Sequence, residues 1–172
     1  DKVIVLCGLD SLFKRIDDVV FRWGMLCDIT GLSCHEIVNP EIFLGFFSRD
    51  ILLKGTEKKD FLYGKNFAQE KLHLDKTYYS FDANGWHFIF LDSTQKKSNG
   101  LWYTAKLGAE QMEWLENDLA SIAPTTPVLV VSHIPILCAN VFLDDVKQRF
   151  GKFQIPGSWM HNDVKEIVAL FN

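Results

Sequence analysis

The run Trp86 to Leu91, "WHFIFL", constrains this chain more than any other stretch. Side chains alternate faces along a strand, so Trp86, Phe88 and Phe90 share one face and Ile89 and Leu91 the other. Both faces are apolar, and such a strand needs cover on each side. A layered α/β architecture supplies that cover. His87 lies within the run. The preceding run "TYYSFD" is also aromatic and β-prone, and "ANG" separates the two. Asn84-Gly85 suits a tight turn with positive φ, so Thr77 to Asp92 reads as a β-hairpin.

The remaining periodicity extends the same pattern. Val3 to Leu6 and Val128 to Val131 are short β-branched runs that read as buried strands. Between the hairpin and the second run, Ala109 to Ala120 reads as an amphipathic helix with Met112, Leu115 and Leu119 on one stripe. "APTTP" stops it, because proline cannot continue a helix. A last helix is expected from Asn162 to Phe171. Asn162 would be its N-cap, Asp163 would face the positive end, and Val164, Ile167, Val168 and Phe171 would form the apolar side. "YGKNFAQEKLHLD" reads as loop or short helix. "PEIFLGFFSRDILL" is apolar and helix-compatible apart from Gly45. Strand, helix, strand, helix in this order predicts a sheet covered by helices.

Composition bounds the function. At 172 residues, the chain (1–172) is expected to be one domain with a sizeable core. A net charge of −4 argues against a nucleic-acid or anionic-membrane surface. No stretch approaches the ~20 apolar residues needed to span a bilayer. Cys7, Cys27, Cys34 and Cys138 form no C-x-x-C pair, which favours reduced thiols over disulfides. A soluble protein is expected, either cytoplasmic or secreted after removal of a signal. The sequence does not address oligomeric state.

The strand from Val128 runs into "SHIPI", which places His133 just beyond it. In sheets covered by helices, chemistry gathers in loops at the carboxyl ends of strands. Pro135 stiffens the loop after His133, as a metal ligand would require. A histidine that caps the strand and bonds to backbone is the other reading. Asp92 ends the hairpin strand in the same way.

Three pieces in order carry a family resemblance: "YYSFDANGWHFIFLDST", "LGAEQMEWLENDLA" and "TPVLVVSHIPI". Together they resemble the calcineurin-like metallophosphoesterases, in the branch containing purple-acid-phosphatase-like and cyclic-nucleotide-phosphodiesterase-like enzymes. The matching residues are Leu91-Asp92-Ser93, Gln111 with Trp114-Leu115, and Ser132-His133-Ile134-Pro135. The resemblance covers about Tyr78 to Ile136, with a weaker extension back to His35.

It implies a layered α/β/β/α sandwich and a dinuclear centre of two divalent metal ions, Mn, Fe or Zn. Such a centre would hydrolyse a small-molecule or nucleotide phosphoester, a phosphomonoester or a phosphodiester. His133 would be a metal ligand. "MLCDITG" is similar to the family's Gly-Asp segment with Cys27 in place of glycine, so Asp28 would bridge the metals; a turn or cap aspartate is the alternative. "SCHEI" is similar to Gly-Asn-His-Glu, with Ser33 and Cys34 replacing glycine and asparagine. His35 would then protonate the leaving group and Glu36 would orient it.

Other family motifs are absent. Leu12 stands where an Asp-x-His histidine is expected, and Asp10 reads as a surface carboxylate. Asp28 and His35 lie too close together for the helix that the family places between them. The late Gly-His-x-His is missing, and His161 reads as a surface histidine. The chain therefore resembles either an incomplete domain, lacking active-site loops or terminal elements, or a degenerate scaffold acting as an interaction module. A zinc site from Cys7, Cys27, Cys34 and His35 lacks the short ligand spacing of such sites. Residues that would select a substrate are expected in Lys96 to Tyr103 and in Cys138 to Met160. Phe142, Arg149, Phe153 and Trp159 in the latter would line a cleft or pack beneath a long loop.

Overall fold

A computed structural model describes residues 3–7, 65–96, 103–142 and 147–171. These fall into two compact units. The first holds 3–7, 65–92 and 122–133; the second holds 93–96, 103–121, 134–142 and 147–171. Asp10, Asp28, Cys34, His35 and Glu36 lie outside the described residues, as does the apolar stretch from Pro40. Among the described residues, no helix is long and apolar enough to cross a membrane.

The first unit is built on a mixed sheet of β1 (Val3–Cys7), β2 (Tyr79–Ala83), β3 (Trp86–Leu91) and β6 (Val128–Ser132). Their order is β1-β6-β3-β2. β6 runs parallel to both β1 and β3, while β2 is antiparallel to β3. The expected hairpin is present. Its two turn residues, Asn84 and Gly85, have φ of 49° and 77°. Positive φ at both central positions is the type I′ geometry that matches strand twist.

Register explains why this sheet forms. Phe81 pairs with Phe88 and Tyr79 with Phe90, and the rings stack at 5.0 and 4.8 Å between centroids. Phe88 and Phe90 pair in turn with Leu129 and Val131 of β6. These four buried residues form one apolar cluster, against which Tyr79, Phe81, Ala83 and Trp86 pack. On the opposite face, Ile89, Leu91, Val128 and Val130 are also buried. The two-faced apolar pattern is thus realised, and all of β6 is buried. Each large apolar side chain removed from water contributes about 1.5–3 kcal/mol. His87 serves the hairpin, because its Nδ1 meets the cross-strand Asp82 Oδ1 at 2.7 Å.

The segment read as loop or short helix is a helix, α1 (Lys65–Leu72). Its end has a definite cause. His73 adopts φ 53°, His73 N–H donates to Glu70 O, and Leu74 N–H donates to Gln69 O at 2.9 Å. This is a Schellman stop with histidine in the left-handed position that glycine usually fills.

The second unit contains β4 (Thr94–Lys96) paired antiparallel with β5 (Tyr103–Ala105), and the helix α2 (Ala109–Ser121). It also contains a 3-10 turn (Ala139–Phe142), the hairpin β7 (Lys147–Arg149) and β8 (Lys152–Gln154), and the helix α3 (Val164–Leu170). The buried side of α2 is Gln111 with Leu115, while Met112 and Leu119 are only half-buried. The expected stripe therefore faces inward, centred on the fully buried Leu115, and Gln111 joins its buried side.

Two expectations at the start of α3 are corrected. The helix begins at Val164, and Asp163 occupies the N-cap without a side-chain cap bond. Its carboxylate is used elsewhere: Oδ2 accepts Leu107 N–H at 2.8 Å and Oδ1 meets His161 Nδ1 at 3.1 Å. Asn162 is likewise a tertiary fastener, with its amide reaching Thr104 Oγ1 at 2.6 Å and Ala105 O at 3.0 Å. Gly157 makes room for it, since a Cβ there would stand 2.9 Å from the Asn162 amide. His161 is not a surface residue. It is 2% exposed, and its backbone N–H donates to Pro135 O.

Burial alone would raise the Asp163 carboxyl, but the His161 hydrogen bond, the Leu107 N–H and the His161 charge together hold it below its usual range. A depressed carboxylate stabilises the fold above the unfolded pKa and loses that contribution as pH falls through the folded value. Acidification from about pH 5 to pH 2 should therefore lower the urea midpoint more steeply in the native protein than in Asp163→Asn. Parallel acid limbs in the two proteins would show that this carboxylate is not linked to folding.

Candidate functional site

Parallel pairing brings strand ends to one edge. Leu91 of β3 is in register with Ser132 of β6, and Cys7 of β1 is in register with the same serine. Neighbouring strands lie about 4.8 Å apart. The next residues, Asp92 and His133, therefore leave the sheet side by side at its carboxyl edge. Both are 5% exposed. His133 stands where the sequence predicts, beyond the most buried strand.

A carboxylate buried at that edge must be paired, because desolvation of an isolated charge costs several kcal/mol. Asp92 Oδ2 receives Lys65 Nζ at 2.6 Å and the Thr77 hydroxyl at 2.6 Å. Lys65 is the first residue of α1, and Thr77 precedes β2. The knot ties the helix and the start of the hairpin to the end of β3. Its chemistry also assigns Asp92 a role. With Oδ2 committed to an ammonium and a hydroxyl, that oxygen is a charge-assisted fastener.

In the second unit, Ile134 N–H donates to Ser93 Oγ at 3.0 Å, and Ser93 is fully buried. The residues that follow Asp92 and His133 are thus fastened to each other.

The donor set fits a metal in part. A buried imidazole at the end of a strand suits a borderline divalent ion such as Zn, Mn or Fe. Among the described residues, no group of three His, Cys, Asp or Glu side chains could hold an ion. Asp28 and His35, the other expected site residues, lie outside those residues. Of the expected site residues, the structure describes His133, at the edge.

Sequence reading missed Lys65 and Thr77. A signal for a partner was present, since an aspartate ending a strand apolar on both faces has to meet a donor. Nothing in the spacing says which donor. The His161–Asp163 couple was missed as well, because a polar "HND" run before a helix reads as surface.

Comparison with known proteins adds a phosphoesterase-like relationship. The chain is 32% identical over 76 residues to a protein of Fibrobacter succinogenes described as a probable cyclic nucleotide phosphodiesterase, covering 44% of this chain and 26% of that one. It is 35% identical over 92 residues to purple acid phosphatase 15 of Arabidopsis thaliana, covering 51% of this chain and 16% of that one. No family model matches the chain, and no solved structure matches it. The chain thus spans only a minor part of the length of these relatives, and its similarity is to proteins named for phosphoester hydrolysis.

Proposed function

We propose that this chain carries part of a metal-dependent phosphoesterase, hydrolysing a phosphomonoester or phosphodiester through a dinuclear centre. The observation that supports this reading most is the register that delivers His133 beside Asp92 at the carboxyl edge of two parallel, buried strands. That edge is where α/β sheets gather their chemistry. The phosphodiesterase and phosphatase names of the relatives agree with it. The larger fold would be the layered α/β/β/α sandwich, of which the β1-β6-β3-β2 sheet is one layer.

Two divalent ions, Mn, Fe or Zn, would supply Lewis-acid charge stabilisation and a hydroxide nucleophile near neutral pH. His133 would hold one of them, Asp28 would be a further ligand, and His35 would give a proton to the leaving oxygen. The Asp92–Lys65–Thr77 knot would keep the strand end beside His133 from shifting. The substrate would be a small-molecule or nucleotide phosphoester.

The test is hydrolysis of 4-nitrophenyl phosphate and bis(4-nitrophenyl) phosphate by the purified protein. Turnover should fall to background after chelation and return with added Mn or Zn, and the preferred ester separates monoesterase from diesterase. Turnover that survives chelation would refute the reading. A folded, inactive protein that captures another macromolecule would favour the interaction module.

A further inference from the structure

The β7–β8 hairpin in the second unit has a turn that folding alone does not explain. Phe150 and Gly151 have φ of 52° and 71°, the same type I′ geometry as Asn84-Gly85. Asparagine suits the first position, because its short polar side chain tolerates the left-handed region. Phenylalanine does not, and a bulky residue at positive φ is strained. Phe150 nevertheless sits there 89% exposed. Strain at an exposed aromatic residue, with no burial to offset it, is grounds for a functional hypothesis.

The surroundings indicate a partner. Arg149 lies over the Phe150 ring at 5.2 Å from its centroid, and Lys152 follows the turn; both are exposed. Behind the tip, Phe153 meets Phe142 edge to face at 5.2 Å, and both rings are at least half exposed. The segment from Lys147 to Asn162 contains Lys147, Arg149 and Lys152 and no Asp or Glu, while Asp144 and Asp145 precede it in the sequence. A chain of net charge −4 thus carries a local basic finger tipped by an aromatic ring. The whole-chain charge, which predicts no anionic surface as partner, conceals it.

We propose that this hairpin docks on an anionic lipid surface, with Phe150 entering the boundary between headgroups and acyl chains while Arg149 and Lys152 meet lipid phosphates. Aromatic rings favour that boundary, and long cationic side chains keep their heads at phosphate level while their stems lie in the apolar layer. Single-stranded nucleic acid fits less well. Base stacking needs open ring faces along a basic groove, whereas one face of Phe150 already carries Arg149 and the Phe142–Phe153 pair is edge to face. One hairpin gives only weak, reversible attachment.

The test is co-sedimentation of the purified protein with vesicles of phosphatidylcholine alone or mixed with phosphatidylserine. Binding should require phosphatidylserine and weaken with salt. Arg149→Gln with Lys152→Gln should reduce it about 25-fold, at roughly fivefold per cation. Phe150→Asn should reduce it about fivefold or more while leaving the thermal midpoint unchanged or higher, because asparagine suits the turn. Three results would overturn the proposal: no vesicle binding, Phe150→Asn binding like the native protein, or a lowered midpoint showing that the ring packs. So would a Phe150→Asn variant that abolishes self-association or capture of an oligonucleotide instead.

Discussion

Replacing His133 by alanine is expected to reduce phosphoester turnover by at least on the order of 10²–10³-fold while leaving the sheet folded. The residue follows β6, whose own side chains Val128 to Ser132 are all buried. Its loss should cost about 1–3 kcal/mol, the range for disturbing one buried polar group, and the far-UV spectrum should be native. In the proposed role His133 would hold an ion whose charge favours the transition state, so the loss should appear in kcat. Activity within a few fold of the native protein would mean that His133 caps its strand and does nothing more.

The largest stability effect should come from the ion pair of the other residue at the edge. Lys65→Met takes the ammonium away from the buried Asp92 carboxylate, and removing one partner of such a pair costs about 3–5 kcal/mol. Asp92→Ala should cost less, since Lys65 is 29% exposed and its ammonium can turn to water. The double variant should be less unstable than the sum of the two, because neither charge is then left alone. Urea unfolding of the three variants gives the coupling directly. Additive losses would show that the 2.6 Å contact contributes nothing to folding.

The residues that were readable and those that were not differ in physical kind. The hairpin was legible because two local signals agree: Asn84-Gly85 demands a tight turn, and the aromatic residues on either side alternate with period two. The end of β6 was legible because a β-branched run stops at a histidine and a proline. Lys65 was not, since a lysine in "YGKNFAQEKL" looks like any solvated helix residue until its partner, 27 positions on, is placed beside it. Asn162 and Asp163 carry an N-cap signature, and tertiary acceptors and donors took both side chains instead. The second hairpin was hidden because Phe150-Gly151 is not a usual turn pair and its strands lack alternation; its aromatics, expected in a cleft or under a loop, stand exposed at Phe142 and Phe153.

The most direct test of the central claim is metal content. After dialysis against metal-free buffer and reloading, elemental analysis of the purified protein should find about two Mn, Fe or Zn ions per chain, with less retained by His133→Ala. A folded native protein that holds no divalent ion, or a His133→Ala variant that holds as much as the native one, would contradict the account.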